Sequence, residues 1–359
     1  MRLLTFGSLP PEWGGPRRGG VATFHASLLQ ALKARSDVKV VGVVSPTSVR
    51  CGLPVRIFVR PAGTGYADFY ESLRKCLRPD VILMNHVAHS WGSTHARLGG
   101  PVPALGFVHS WHNITFRSGA EKERAERLTQ EALSGIQGLV TCSRHCLEEG
   151  VSLGLGYPAL AEVVHHPLPP PYLDELDVDR ADRHGVLFVG SLMERKDPRV
   201  LVEAASLMPD TSVSFAGAGE LEAPLESLIA KRGLGGRVTL LGSLGWHDVR
   251  ERLLRSEVMC LPSRSESFGI TYIEALACGT PVVGFAATVR EIQAAMGMHI
   301  GEPLDTHSPE AVAIALDRVR SRGWDRKRLR ERAVEVFGLE RVTARLVELL
   351  RRTRDATGA

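Results

Sequence analysis

The 359-residue chain is long for one hydrophobic core, so two or three folded units are expected. Its 44% hydrophobic and 23% charged residues exclude disordered and fibrous classes. Forty-four basic against 40 acidic residues leave a net charge of +4, which suits a phosphate-bearing ligand and is too small to demand nucleic acid.

The opening MRLLTFGSLPPEWGG has too few apolar residues before Pro10 and Pro11 for a signal-peptide core or a membrane span, and no later run reaches the length of a span. A cytoplasmic protein without stable membrane insertion is expected. The six cysteines, Cys51, Cys76, Cys142, Cys146, Cys260 and Cys278, follow no framework and are expected as thiols. Cys142, His145 and Cys146 lack the second Cys/His pair of a zinc site.

Short runs rich in Val, Leu and Phe alternate with longer amphipathic segments, the pattern of strand–helix units that feed a parallel sheet. The first predicted strand, Leu3 to Phe6, runs on to Gly14-Gly15-Pro16-Arg17-Arg18-Gly19-Gly20-Val21 and a helix over Ala22 to Ala34. Glycines at that place let backbone approach a phosphate closely. Strands follow over Val38 to Val44, Val81 to Met84, Ala104 to His109, Leu139 to Thr141 and Glu162 to Val164. His109 stands at the carboxyl end of its strand and is a candidate catalytic residue, with His86, His89 and His112 as candidates to line an acceptor pocket.

The run His166-Pro167-Leu168-Pro169-Pro170-Pro171 and the acidic stretch Asp174 to Asp182 offer little to bury and predict a linker over 167–184. It would separate an N-terminal domain, 1–166, from a C-terminal domain, 185–338. Within it, Asp177-Val178-Asp179 imitates an acidic metal motif, but it lies in the polar linker and no strand leads into it. No metal or other cofactor is expected. Strands resume over Val186 to Val189, Ser212 to Phe215, Val238 to Leu241, Val258 to Leu261 and Val282 to Phe285. Helices over Pro309 to Arg320 and Leu339 to Arg352 close the chain, the last (about 339–359) expected to pack back on the first domain. Two doubly wound α/β domains facing a cleft are the predicted architecture.

The densest cluster of informative residues runs from Pro262 to Val283. A strand leads into a polar loop with Glu266 and Gly269, and then into a helix whose first amides lack intrahelical acceptors and favour a diphosphate. Glu274 lies on the order of 12 Å from Glu266 along such an axis. One carboxylate can accept hydrogen bonds from sugar hydroxyls and the other from a ribose. Upstream, Phe188-Val189-Gly190-Ser191-Leu192 with Lys196 and Phe215-Ala216-Gly217-Ala218-Gly219-Glu220 each form a strand and its outgoing loop, and Gly236 to Leu244 repeats that pattern. The two glycines at 217 and 219 are equally explained by a tight turn.

The two glutamates with the intervening Phe268-Gly269 and the following Ala277-Cys278-Gly279-Thr280-Pro281-Val282-Val283 resemble the signature of the family-four retaining glycosyltransferases, which include glycogen-synthase-like enzymes. The resemblance covers most of the C-terminal half. It implies the GT-B fold and transfer of a sugar from a nucleotide donor, a UDP-sugar such as UDP-Glc or UDP-GlcNAc, to a hydroxyl of a polar acceptor such as a polyol, aminocyclitol or glycan. It implies that Glu266 contacts the donor sugar, Glu274 the ribose, and the backbone of Phe268, Gly269 and Ile270 the sugar and phosphates. It implies further that Lys196 would stabilise the leaving diphosphate, with Gly19 and Gly20 closing over it. On the same resemblance Gly217, Gly219, Ser243 and Leu244 would line the nucleotide site, and His109 would orient the sugar. Family members usually carry Arg where this chain has Ser191, so one cation is missing from its expected place, and Arg195, Arg199, Arg264 and Arg290 are the candidates to replace it. An epimerase or phosphorylase of related architecture, or a sugar-nucleotide-binding protein without turnover, are the alternatives.

Overall fold

The computed structural model describes residues 1–9, 20–46, 55–87, 90–179 and 182–356. Gly19, His89 and most of the first glycine loop lie outside them. Two compact units are formed, Met1–Pro167 with Leu339–Ala359, and Leu168–Gly338.

The first unit is built from β1 (Arg2–Phe6), α1 (Gly20–Lys33), β2 (Lys39–Val44), β3 (Ile57–Phe58), α2 (Tyr66–Leu77), β4 (Val81–Asn85), α3 (Ser90–Arg97) and β5 (Ala104–Val108). It continues through α4 (His112–Thr115), α5 (Gly119–Ser134), β6 (Gly138–Thr141), α6 (Arg144–Ser152) and β7 (Leu160–Val163). The seven strands pair in the order β3-β2-β1-β4-β5-β6-β7, every pair parallel. The central strands β4 and β5 are buried along their whole length, which is why they read as unbroken apolar runs rather than alternating ones. The last helix of the chain, α14 (Leu339–Asp355), belongs here and lays Val342, Leu346, Leu349 and Leu350 against α1, β4 and β5. Arg351 pairs with Asp37, and Arg345 and Arg352 with Glu162, at the margin of that apolar face.

The second unit contains β8 (Val186–Val189), α7 (Pro198–Ser206), β9 (Val213–Ala216), α8 (Glu222–Lys231), β10 (Val238–Leu240), α9 (Trp246–Arg255) and β11 (Val258–Leu261). After these come α10 (Ile270–Ala277), β12 (Val282–Phe285), α11 (Ala286–Met296), β13 (Gly301–Leu304), α12 (Pro309–Ser321) and α13 (Arg326–Phe337). Its six parallel strands run β10-β9-β8-β11-β12-β13.

Both sheets are doubly wound. Two short strands have no counterpart in the sequence reading: β3 has only two residues, and β13 carries Gly301 and Pro303, residues tolerated on an edge strand, which is where it lies. Residues 168–179 are packed on the second unit. The Leu168 amide donates to Phe337 O at 2.8 Å, Tyr172 is buried, and the Arg183 guanidinium donates to the carbonyls of Val178, Leu253, Ser256 and Cys278. Among the described residues, no helix is long and apolar enough to cross a membrane.

Candidate functional site

In a sheet ordered like the second one, successive crossovers reverse direction at one place, between β8 and β11, and the loops leaving those strands part to form a crevice at their carboxyl ends. The loop after β8 carries Ser191 and a short 3-10 turn, Glu194–Lys196; the loop after β11 carries Ser263 to Gly269. The Lys196 ammonium donates to the Glu266 carboxylate. Ser263 Oγ donates to Glu266 Oε2 at 3.3 Å, and Arg195 Nη1 lies 3.7 Å from Oε1. The loops are laced together as well: Arg195 Nη1 donates to Ser265 O at 2.8 Å, and the Arg264 amide to Arg195 O at 2.9 Å.

Glu266 is only 7% exposed. Burial pulls the Lys196 ammonium below its ordinary range, and the charge of Glu266 opposes that pull. Of the four arginine candidates to replace the missing cation, Arg195 is the one beside Glu266. Arg199 is paired with Glu194 (2.6 Å), Arg264 with the buried Asp197 (2.7 Å) and Arg290 with Asp305 (2.6 Å). Ser191 itself is exposed.

Gly269 caps α10 with φ 67°, a left-handed conformation that glycine adopts without penalty. A Cβ there would lie 2.6 Å from the Tyr272 ring and 3.1 Å from Glu266 Cγ. Phe268 is buried against Phe337, and Ile270 opens the helix. Tyr272 donates to Leu261 O at 2.7 Å and accepts from the Phe285 amide at 3.0 Å, tying α10 to β11 and β12. One turn into α10, Glu274 is hydrogen-bonded to the Tyr172 hydroxyl, and burial pushes its carboxyl up to about 7.

Gly217 and Gly219 are needed for backbone packing. A Cβ on Gly217 would fall 1.8 Å from Gly190 O, and one on Gly219 2.3 Å from Leu192 O. The loops after β8 and β9 therefore cross in direct backbone contact. Ser243 and Leu244 follow Gly242 in the next loop, between β10 and α9, where the Gly217 amide donates to Gly242 O at 2.8 Å.

In the first unit, His109 lies one residue beyond β5 and is 4% exposed, enclosed by Phe24 and by Phe107, whose ring stacks on it at 4.6 Å. Both of its ring nitrogens are engaged: Nε2 with Asn85 Oδ1 at 2.6 Å and Nδ1 with His166 Nε2 at 2.8 Å. Burial, followed by the neighbouring imidazoles, holds it well below the ordinary histidine range, so it is neutral near pH 7. His86 follows β4 with φ 119°, an uncommon conformation for a side-chain-bearing residue. His112 opens α4 and stands against Phe116, and Gly20 opens α1.

Residues 179–336, nearly the whole second unit, match the family described as glycosyl transferases group 1. The second unit belongs to the group 1 glycosyltransferases. The chain is 29% identical to a D-inositol 3-phosphate glycosyltransferase of Mycolicibacterium vanbaalenii over 86% of this chain and 84% of that protein. With the protein of the same name from Mycolicibacterium gilvum it is 30% identical, over 60% of this chain and 53% of the relative, about half of that protein's length. The sucrose-phosphate synthase of Thermosynechococcus elongatus superposes with a TM-score of 0.77 at 18% identity over 99% of this chain and 100% of that one. HepE of Anabaena, solved with UDP, superposes with 0.73 at 16% identity over 98% and 99%. These likenesses are of fold, and the fold is GT-B.

In this glycosyltransferase the sequence-predicted residues separate into two groups by unit. Lys196, Glu266, Gly269 and Glu274 gather around the β8–β11 switch point, whereas His86 and His109 lie in the first unit, by the ends of β4 and β5. Sequence reasoning missed Ser263, Tyr172 and Asn85. Ser263 stands three residues before Glu266, where it was readable as a helper; Tyr172 sat in the supposed linker; Asn85 closes an apolar strand and carried no signal.

Proposed function

We propose that the chain transfers a glycosyl group, with retention of configuration, from a UDP-sugar to a hydroxyl of a small polyol. The observation that carries this reading is the meeting of Lys196 and Glu266 at the switch point of the second sheet, with Glu274 one turn into the helix that follows. Two carboxylates and a buried cation in such a crevice match the parts of a nucleotide sugar: hydroxyls of the hexose on Glu266, the diphosphate on Lys196 and the start of α10, a ribose on Glu274. UDP is favoured by HepE, which was solved with it, and a cyclic polyol by the acceptor named for the mycobacterial relatives.

The reaction in this proposal uses no protein nucleophile. The acceptor oxygen attacks the anomeric carbon on the face from which the diphosphate leaves; the bond to the diphosphate breaks, and a phosphate oxygen takes the hydroxyl proton. Lys196, Arg195 and the free amides of α10 stabilise the departing charge, and Glu266 fixes the sugar, so that rate is gained by positioning and preorganised charge. No metal enters the scheme. Mixing the protein with UDP-glucose and inositol tests it: UDP and an α-linked product are expected, and a β-linked product overturns retention. UDP binding without turnover across a broad acceptor panel would favour a non-catalytic binding protein.

A further inference from the structure

Helix α10 is gripped at its carboxyl end by guanidinium groups. The last carbonyls of a helix have no partner within it. Here Arg330 Nη1 donates to Ala277 O at 2.7 Å, Arg183 Nη2 to Cys278 O at 2.8 Å and Arg326 Nη1 to Gly279 O at 2.9 Å. Arg330, on α13, reaches a second segment as well: the same Nη1 donates to Tyr172 O at 3.2 Å. Arg250, on α9, donates to Pro171 O at 2.7 Å, and the Tyr172 amide closes a 3-10 turn on Pro169 O at 3.0 Å. The backbone of Tyr172 is thereby fixed relative to α10 by the guanidinium that holds the end of that helix.

Tyr172 is 1% exposed, and its hydroxyl is hydrogen-bonded to the Glu274 carboxyl. From Tyr272 to Ala277, Glu274 alone keeps part of its surface exposed, and the residues on either side of it are buried. A tyrosine–carboxyl pair is a poor way to attach a segment to a helix, because an apolar pair of the same shape packs there without taking two polar groups out of water. What the pair does supply is a fixed carboxyl. A carboxylate has about four acceptor sites, so the Tyr172 hydroxyl occupies one and leaves the group able to receive the two adjacent hydroxyls of a ribose. A site is selective when such a group is held in place by its own supporting contacts.

We propose that Tyr172 is a positioning residue of the nucleotide site: it holds the Glu274 carboxylate in the orientation that receives both ribose hydroxyls, and so makes the site selective for ribose over 2′-deoxyribose. This rests on the glycosyltransfer reading above and adds to it the group that sets the selectivity for the nucleotide's sugar. Tyr172 acts through Glu274. The charged and titratable groups packed about the pair are Arg250, Arg330, Arg183 and Cys278, whose thiol is pushed well up by burial and stays neutral. Burial raises the Glu274 carboxyl to about 7, and the hydrogen bond from Tyr172 opposes that rise. Without the hydroxyl the carboxyl ionises at a higher pH.

The test titrates UDP, 2′-deoxy-UDP and inorganic pyrophosphate into the full chain and into Tyr172→Phe, which keeps the ring and removes only the hydroxyl. Wild type is expected to prefer UDP over 2′-deoxy-UDP by about tenfold or more, since the deoxy sugar leaves part of the carboxylate unmet. Tyr172→Phe should cut that preference by about threefold or more and leave pyrophosphate affinity unmoved. The pH at which UDP affinity rises should move upward in the same variant, the direction set by the lost hydrogen bond. A merely structural role would weaken all three ligands together and leave the preference as it was. A Tyr172→Phe chain with the wild-type preference overturns the proposal, whatever its melting temperature. So does a wild type that binds UDP and 2′-deoxy-UDP equally, a result that leaves the glycosyltransfer reading standing; absence of UDP binding as well would remove that reading too.

Discussion

Lys196 and Glu266 are 70 residues apart in sequence and directly paired in the folded chain, with side chains 12% and 9% exposed. Removing one partner of a buried ion pair leaves the other charge unmet, which costs more than the pair contributes. Lys196→Met should therefore lower the melting temperature, and it should cut turnover about 100- to 1,000-fold, the range for losing one preorganised charge contact to a transition state. The double variant Lys196→Met/Glu266→Gln should regain melting temperature and stay inactive. Thermal denaturation and UDP release measured side by side check this; a double variant that recovers activity would make the pair structural only.

How far these features could be read from sequence depends on whether their partners are near in the chain. The strands that are buried on both faces were legible as apolar runs, and the loops holding Lys196 and Glu266 were legible because each follows such a run. The Asn85–His109–His166 chain was not, because its links span 24 and 57 residues and no local pattern announces them. Residues 168–179 read as a linker from their prolines and acids. What binds them to the second unit is a set of carbonyls that converge on Arg183 and Arg330 from distant loops, and composition holds no record of that.

Ser191 is exposed near the start of the loop that delivers Lys196, so a longer side chain has room there. Ser191→Arg should tighten UDP binding, by about threefold to thirtyfold for one added charge-assisted hydrogen bond. Arg195→Ala should weaken it, because Arg195 is the second cation beside Glu266, after Lys196. Titration of UDP into the two variants decides the matter: if Arg195→Ala binds UDP like wild type, Arg195 does not stand in for the missing arginine.

Gly217 has φ 156°, and the oxygen of Gly190 occupies the place of its Cβ. Gly217→Ala must push the loops after β8 and β9 apart, because backbone cannot rotate out of the way as a side chain can. A loss of about 1–3 kcal/mol is expected, as for other residues forced into unsuitable backbone conformations. Denaturant titration reads it directly, and UDP affinity should fall in the same variant because Lys196 sits on the displaced loop.

Glu274 supplies a pH dependence with two opposite signs. Burial raises its carboxyl from 4.5 to about 7 in the ligand-free protein, so between those values the folded chain holds a proton that the unfolded chain has given up. Stability from this group is thus fully present below pH 4.5 and is lost as pH rises through about 7. Ribose hydroxyls are donors and favour the ionised carboxylate, which pulls its pKa down and releases a proton on binding. UDP affinity should accordingly rise with pH through about 7, even as the free protein loses stability over the same interval. The phosphates of UDP titrate nearby, so the wild-type curve alone is ambiguous. Glu274→Gln removes the carboxylate and keeps the shape, and the part of the pH dependence that vanishes in it belongs to Glu274. If wild type and Glu274→Gln bind UDP with parallel pH profiles, the ribose is not held by this residue.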